Sequence, residues 1–205
     1  MGLEFSDPYD PLPIGLPVPV DDGACQHLVG LRLPATTLQS SNNNAVDLSQ
    51  IAHREQAVLF FFPAAGRPGV PDPNGWSLIP GARGCTPQLC DYRDATSEFQ
   101  KLGVKLLGVS SQRHEDLVEI AQRNRLRYEL LSDQELRLTK ALRLPTFKVR
   151  SPVGLVPPVC IRRLSLIVSK GRIEKVFYPV FPPDKNASEV LAYLKESGPA
   201  SIRFD

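Results

Sequence analysis

The sequence predicts an α/β protein built on a central mixed β-sheet flanked by helices. Three observations carry that expectation. The run Ala57-Val-Leu-Phe-Phe-Phe62 is continuously apolar and is closed by Pro63, as expected of a buried central strand. A helical stretch separates it from a second strand pattern, Val104-Lys-Leu-Leu-Gly-Val-Ser110, giving strand–helix–strand alternation. Further on, Arg163–Ser169 turns at Lys170-Gly171 into Arg172–Tyr178, the pattern of an antiparallel hairpin.

The elements follow in chain order. Residues 1–33 read as an extended arm, because Pro-Leu-Pro-Ile-Gly-Leu-Pro-Val-Pro-Val (11–20) repeatedly denies backbone donors to a helix or central strand. Residues 34–205 then form one domain. Weak alternation over 35–48 surrounds the polar turn Ser-Ser-Asn-Asn-Asn (40–44) and predicts an edge hairpin. After the central strand, residues 64–84 make an inserted Gly/Pro-rich loop. It exceeds the roughly 12–15 residues beyond which a structureless connection is usually functional or disordered. Trp76, Leu78 and Ile79 predict that this loop packs down as a lid. Thr86–Leu102 has helix character, with Pro87 tolerated in the first turn, Thr86 as a capping side chain, an apolar stripe through Leu89, Tyr92, Phe99 and Leu102, and Gly103 as the stop. Helices are expected over 115–124 and 133–142, the second introduced by Ser132-Asp133 as cap candidates. The stretch carrying Pro145, Pro152, Pro157 and Pro158 reads as irregular, and an amphipathic helix over 187–195 closes the domain. This outline resembles a thioredoxin-like fold.

Composition excludes several function classes. The 24 basic and 22 acidic residues leave a net charge of +2, with no global bias toward nucleic acid or an anionic membrane. No apolar run approaches the roughly 20 residues that span a bilayer. The first residues show no basic segment followed by an apolar one, so a cytoplasmic protein is expected. Its four cysteines, at 25, 85, 90 and 160, are then reduced at rest, and any disulfide is transient and catalytic.

The informative segment is Pro80-Gly-Ala-Arg-Gly-Cys85-Thr-Pro-Gln-Leu-Cys90-Asp-Tyr-Arg-Asp94. Cys85 stands between a glycine turn and the start of a helix, where unpaired N–H groups and the helix dipole favour an anion. The thiolate, which is the nucleophile, is thereby made available, and Arg83 adds charge nearby. Cys90 follows five residues later. In an intact helix that spacing holds the two Cα atoms about 8–9 Å apart, whereas a disulfide needs about 4.4–6.8 Å. Joining them requires the first turn to unwind, and Pro87, which donates no backbone hydrogen bond, eases that opening. The plain alternative is that both cysteines pack as small apolar residues.

Gly-Cys-Thr-Pro-Gln-Leu-Cys-Asp-Tyr-Arg-Asp, preceded by Phe-Phe-Phe-Pro and followed by Lys-Leu-Gly-Val-Lys-Leu-Leu-Gly-Val-Ser, resembles the peroxiredoxins, and within them the Q-type or bacterioferritin-comigratory branch. The resemblance runs from Gly30 to Leu194 and is most specific at the cysteines. It implies that Cys85 is the peroxidatic and Cys90 the resolving cysteine, and that Arg163 holds the thiolate and polarises the peroxide, with Arg162 the fallback if the register slips by one. It further implies a hydroperoxide substrate, a thioredoxin- or glutaredoxin-like reductant, no metal or other cofactor, and a monomer or homodimer. Two departures stand out. Ala82 occupies the place of a hydroxyl residue that serves the reacting sulfur in the family, so Arg67, Ser77 or a backbone N–H is expected to compensate. Pro63, which resembles the family proline, lies far upstream of Cys85, and Pro80 is expected to shield the cysteine in its place.

The remaining candidates are weaker. Cys25, Cys160, His27, His53 and His114 match no usual zinc-ligand spacing. Cys25 and His27 share the arm, where an accessible thiol would offer an alternative disulfide; the simpler reading makes them incidental. Cys160 reads as a packed residue. A second function class also stands, a thioredoxin-fold redox sensor or binding module whose peroxidase chemistry is weak because Ala82 lacks the hydroxyl.

Overall fold

The structure is a computed structural model that describes residues 7, 9, 10 and 12–197. Residues 1–6, 8 and 11 of the expected arm, and 198–205 of the expected domain, lie outside the described residues. The strands are β1 (Thr37–Ser40), β2 (Ala45–Asp47), β3 (Gln56–Phe61), β4 (Val104–Ser110), β5 (Glu129–Ser132), β6 (Thr146–Lys148), β7 (Val159–Ile161), β8 (Leu164–Ser169) and β9 (Arg172–Phe177). The helices are α1 (Leu48–Arg54), α2 (Cys85–Lys101), α3 (His114–Arg123), α4 (Arg137–Ala141) and α5 (Asn186–Ser197).

Seven strands form one sheet in the order β2-β1-β5-β4-β3-β8-β9, in which β3 pairs parallel with β4 and antiparallel with β8. The expected mixed sheet, the edge hairpin β1–β2 and the hairpin β8–β9 are all present. β3 is central because both of its faces are buried. Ala57, Leu59 and Phe61 face one core with Leu48 of α1, Leu138 of α4 and the arm residues Cys25, Leu28 and Leu33. Val58, Phe60 and Phe62 face the other, with Leu89, Tyr92 and Phe99 of α2, Leu117 and Ile120 of α3, and Val190 and Leu194 of α5. Strand alternation sends successive side chains to opposite faces, so an all-apolar strand serves a core on each side.

Several local expectations are corrected. Residues 48–54 are helical, started by Asp47, whose carboxylate accepts from Ser49 N at 2.9 Å. The proline-rich stretch before β8 contains β6 and β7 as a separate two-stranded sheet. α4 begins only at Arg137, although Asp133 does serve its start, accepting from Leu138 N at 3.1 Å and Thr139 N at 2.8 Å. β5 was also missed, because four residues are too short for a periodic signal. In the inserted loop Trp76 is buried with Ala64, Ala82, Val149, Val156 and Cys160 in a third small cluster, but Leu78 is exposed. Cys25 is buried rather than accessible, and burial pushes its thiol up to about 12, which removes it as a ready disulfide partner.

Candidate active site

Cys85 is the first residue of α2, and Gly84 before it is the N-cap with φ 92°. That backbone conformation suits glycine, and a Cβ there would also meet Pro183 at 2.4 Å. No side chain caps this helix. Thr86, expected to do so, is buried one residue inside it, and its hydroxyl has no hydrogen-bond partner. The free N–H groups of the first turn therefore stay directed at the region of the sulfur.

Arg163 comes to the same place from the strand that neighbours β3 in the sheet. It immediately precedes β8, whose first residue Leu164 pairs with Phe61 at the carboxyl end of β3. Its Nη2 donates to Cys85 Sγ at 3.2 Å and to the carbonyls of Gly81 at 3.1 Å, Ala82 at 3.4 Å and Arg83 at 3.0 Å. Its Nη1 donates to Oε1 of Gln88. Only 3 % of the residue is exposed, so the guanidinium reaches the sulfur away from bulk water. The groups that accept from it are neutral, and among the described residues no carboxylate forms an ion pair with it. A thiolate at Cys85 would supply the counter-charge, and both the guanidinium and the helix N-terminus favour an anion there.

The arginine is itself braced. Gln88 Nε2 donates to Asn186 Oδ1 at 3.0 Å, and the same oxygen accepts from Tyr92 OH at 2.8 Å and Ser165 Oγ at 2.6 Å. Tyr92 is stacked on Phe60 with ring centroids 3.9 Å apart. This buried chain joins α2, β8 and the start of α5. Sequence reading missed Gln88, Asn186 and Ser165. The one available signal was that Gln88 lies three residues after Cys85 and so on its helix face.

The expected alternatives go elsewhere. Arg162 pairs with Asp22 at 3.8 Å. Arg83 lies 3.4 Å from Asp72 and donates to Ser77 Oγ at 3.0 Å, which occupies that hydroxyl. Pro80 is exposed and does not wall the cysteine. A pocket of about 180 Å³ at Cys85 is lined instead by Trp76, Arg67 and Pro87 and, from the arm, by Leu12 and Pro13. The arm is held there by Tyr9, whose hydroxyl accepts from Arg123 Nη1 at 2.9 Å. Ala82 offers the sulfur only its carbonyl, 3.6 Å away, which accepts from the Cys85 thiol.

Cys90 lies in the unbroken part of α2, half-buried, and burial pushes its thiol up, partly offset by Arg93. Both cysteines are free and the helix between them is whole. Their bonding therefore requires the first turn of α2 to open, which would also part Gln88 from Arg163.

Arg163→Met is expected to slow oxidation of Cys85 by about 10²–10³, the usual cost of losing a preorganised donor. It should also destabilise the fold by about 1–3 kcal/mol, because Gln88 and the loop carbonyls lose a buried partner. Arg163→Lys keeps the charge but not the fork and should recover only part of either. Rapid-mixing rates and denaturant unfolding of both variants check this.

Comparison with known proteins places this geometry among relatives. The profile of the Redoxin family matches residues 28–194. Peroxiredoxin Q, chloroplastic, of Suaeda salsa is 27 % identical over 162 residues, 79 % of this chain and 65 % of that protein. The Arabidopsis thaliana protein of the same name is 27 % identical over 166 residues, 81 % of this chain and 66 % of that one. The chain thus spans just under two thirds of the length of these curated relatives. Among solved structures, peroxidoxin BcpB of Mycobacterium tuberculosis superposes with a TM-score of 0.64 at 23 % identity, covering 87 % of this chain and 100 % of that one. Xanthomonas campestris peroxiredoxin Q gives 0.61 at 24 % identity, covering 81 % and 96 %. These two show the shared fold.

Proposed function

The chain belongs to the Redoxin family, with peroxiredoxin Q proteins among its relatives, and from that premise we propose that it is a thiol peroxidase acting through Cys85. The observation that carries the reading is the buried contact between Arg163 and the sulfur of Cys85 at the start of α2. In the proposed cycle the Cys85 thiolate attacks the terminal oxygen of a hydroperoxide. A sulfur–oxygen bond forms as the oxygen–oxygen bond breaks, leaving sulfenic acid and releasing an alkoxide or hydroxide that takes a proton. Cys90, freed by unwinding of the first turn, then attacks the oxidised sulfur, forming the Cys85–Cys90 disulfide and releasing water. A dithiol protein of the thioredoxin or glutaredoxin type returns two electrons and two protons.

No helix among the described residues is long and apolar enough to cross a membrane. All four cysteines are free. The plant relatives are named as chloroplastic, so kinship alone does not select the compartment.

The redox-sensor reading is favoured by one observation, the absence of a side-chain hydroxyl at Ala82 beside the sulfur. Rapid mixing of the reduced chain with hydrogen peroxide, followed by the fluorescence of Trp76, separates the two. A thiol peroxidase should be oxidised at least about 10³ times faster than free cysteine, the scale of electrostatic preorganisation. A rate near that of free cysteine would leave the sensor.

A further inference from the structure

Six buried side-chain polar atoms among the described residues lack a hydrogen-bond partner. Three of them, Arg67 Nε, Thr86 Oγ1 and Arg163 Nε, belong to residues that line the Cys85 pocket or touch its sulfur. Buried polar atoms are nearly always paired, and an orphan calls for an explanation. The two arginines are bonded through their other nitrogens. The hydroxyl of Thr86 has no partner at all, although the residue is only 3 % exposed.

Its surroundings rule out the ordinary uses of a helical threonine. It does not cap α2, whose N-cap is Gly84. Thr96, in the same helix, donates back to the carbonyl four residues earlier, Tyr92 O, at 2.9 Å. For Thr86 the corresponding carbonyl is that of Ala82, which already accepts from Cys85 Sγ and from Arg163. Meanwhile Nη2 of Arg163 is shared among three carbonyls and the sulfur, and Nη1 is taken by Gln88. Ala82 presents only an acceptor, and the donors left without a partner around the sulfur are Arg67 Nε, Arg163 Nε and the Thr86 hydroxyl. A donor for the oxygen that leaves as the oxygen–oxygen bond breaks must come from among these groups, and Thr86 is the one adjacent to Cys85 in the chain.

We propose that Thr86 is a catalytic residue whose hydroxyl donates a hydrogen bond to the leaving oxygen of a hydroperoxide bound at Cys85; this rests on the thiol-peroxidase reading. Thr86 lines the pocket while its hydroxyl is buried, and rotation about χ1, which exchanges the methyl and hydroxyl of a threonine, is the motion by which the hydroxyl would meet a bound peroxide. As the sulfur–oxygen bond forms, the electron pair of the breaking oxygen–oxygen bond moves onto the departing oxygen, where negative charge develops. The Thr86 hydroxyl stabilises that charge and keeps its own proton. The departing oxygen is then protonated from water and leaves as alcohol, or as water when the substrate is hydrogen peroxide.

Thr86→Val keeps the shape and removes the donor; Thr86→Ser restores it. Each is mixed with hydrogen peroxide and with cumene hydroperoxide, and separately with iodoacetamide, which needs the Cys85 thiolate but no donor to a peroxide oxygen. Thr86→Val should be oxidised about 10²-fold more slowly than wild type yet alkylated within about twofold of it, and Thr86→Ser should be oxidised within about threefold of wild type. Wild-type oxidation of Thr86→Val would overturn the proposal. So would a parallel loss of alkylation, which marks an effect on the thiolate or the fold, and so would a serine variant as slow as the valine. A wild-type chain oxidised no faster than free cysteine would instead overturn the peroxidase reading beneath it.

Discussion

Cys85→Ser is expected to reduce peroxide-dependent oxidation of a dithiol donor to the uncatalysed rate. Serine preserves the size of the side chain and its position against Arg163, so the variant should fold with a stability within about 1 kcal/mol of the parent. What it loses is the chemistry. An alcohol does not ionise near neutral pH as a thiol does, and its oxygen has no counterpart of the sulfenic acid that carries the two electrons forward. Neither Cys25 nor Cys160 can substitute, since both are buried and burial pushes both thiols up. A coupled assay with a thioredoxin-type donor measures the outcome, and full turnover by the serine variant would sink the proposed mechanism.

Cys90→Ser separates the two halves of the cycle. The first oxidation should proceed within about threefold of wild type, because Cys90 contributes nothing to the Arg163–Cys85 contact and surface-proximal changes of this kind are small. Repeated turnover with a dithiol protein should cease. Cys85 should remain as sulfenic acid, one oxygen heavier by mass, and pass to sulfinic acid in excess peroxide, because the thiol that would capture it is gone. Unimpaired cycling in this variant would mean that a resolving thiol other than Cys90 is used. Burial pushes the Cys90 thiol up while α2 is whole, partly offset by Arg93, so exposure of Cys90 during unwinding would favour its attack.

Much of the scaffold was legible in the residues. Ala57–Phe62 reads as a doubly buried strand, and the structure seats β3 inside the sheet between two cores. The hairpin at Lys170-Gly171 and the helix expected over Thr86–Leu102, observed over Cys85–Lys101, were equally plain, because each depends on local signals: a two-residue turn, and a glycine followed by a helical stripe. The failures share a cause. β5, β6 and β7 are three or four residues long, and such strands are made by their partners rather than by their own periodicity. Thr86 reads as a cap because hydroxyl residues near helix starts usually are one, and only the structure shows its hydroxyl unpartnered. Leu78 was expected to anchor the loop and is exposed; Trp76 alone carries that task beside the partly buried Ile79.

By itself the sequence determined where Cys85 stands: at the head of a helix, after a glycine, with a second thiol too far along the intact helix to reach it. Those are short-range matters of backbone geometry and spacing. The resemblance named Arg163 as a neighbour of Cys85, but only the tertiary structure decided how the groups around that sulfur meet. Arg163 is 78 residues away in the chain, and Asn186 bonds Gln88 across 98. They meet because the antiparallel pairing of β3 with β8 delivers the arginine to the end of the central strand, and the start of α5 packs against α2. Contacts of that separation depend on which elements pair, and no local pattern records it.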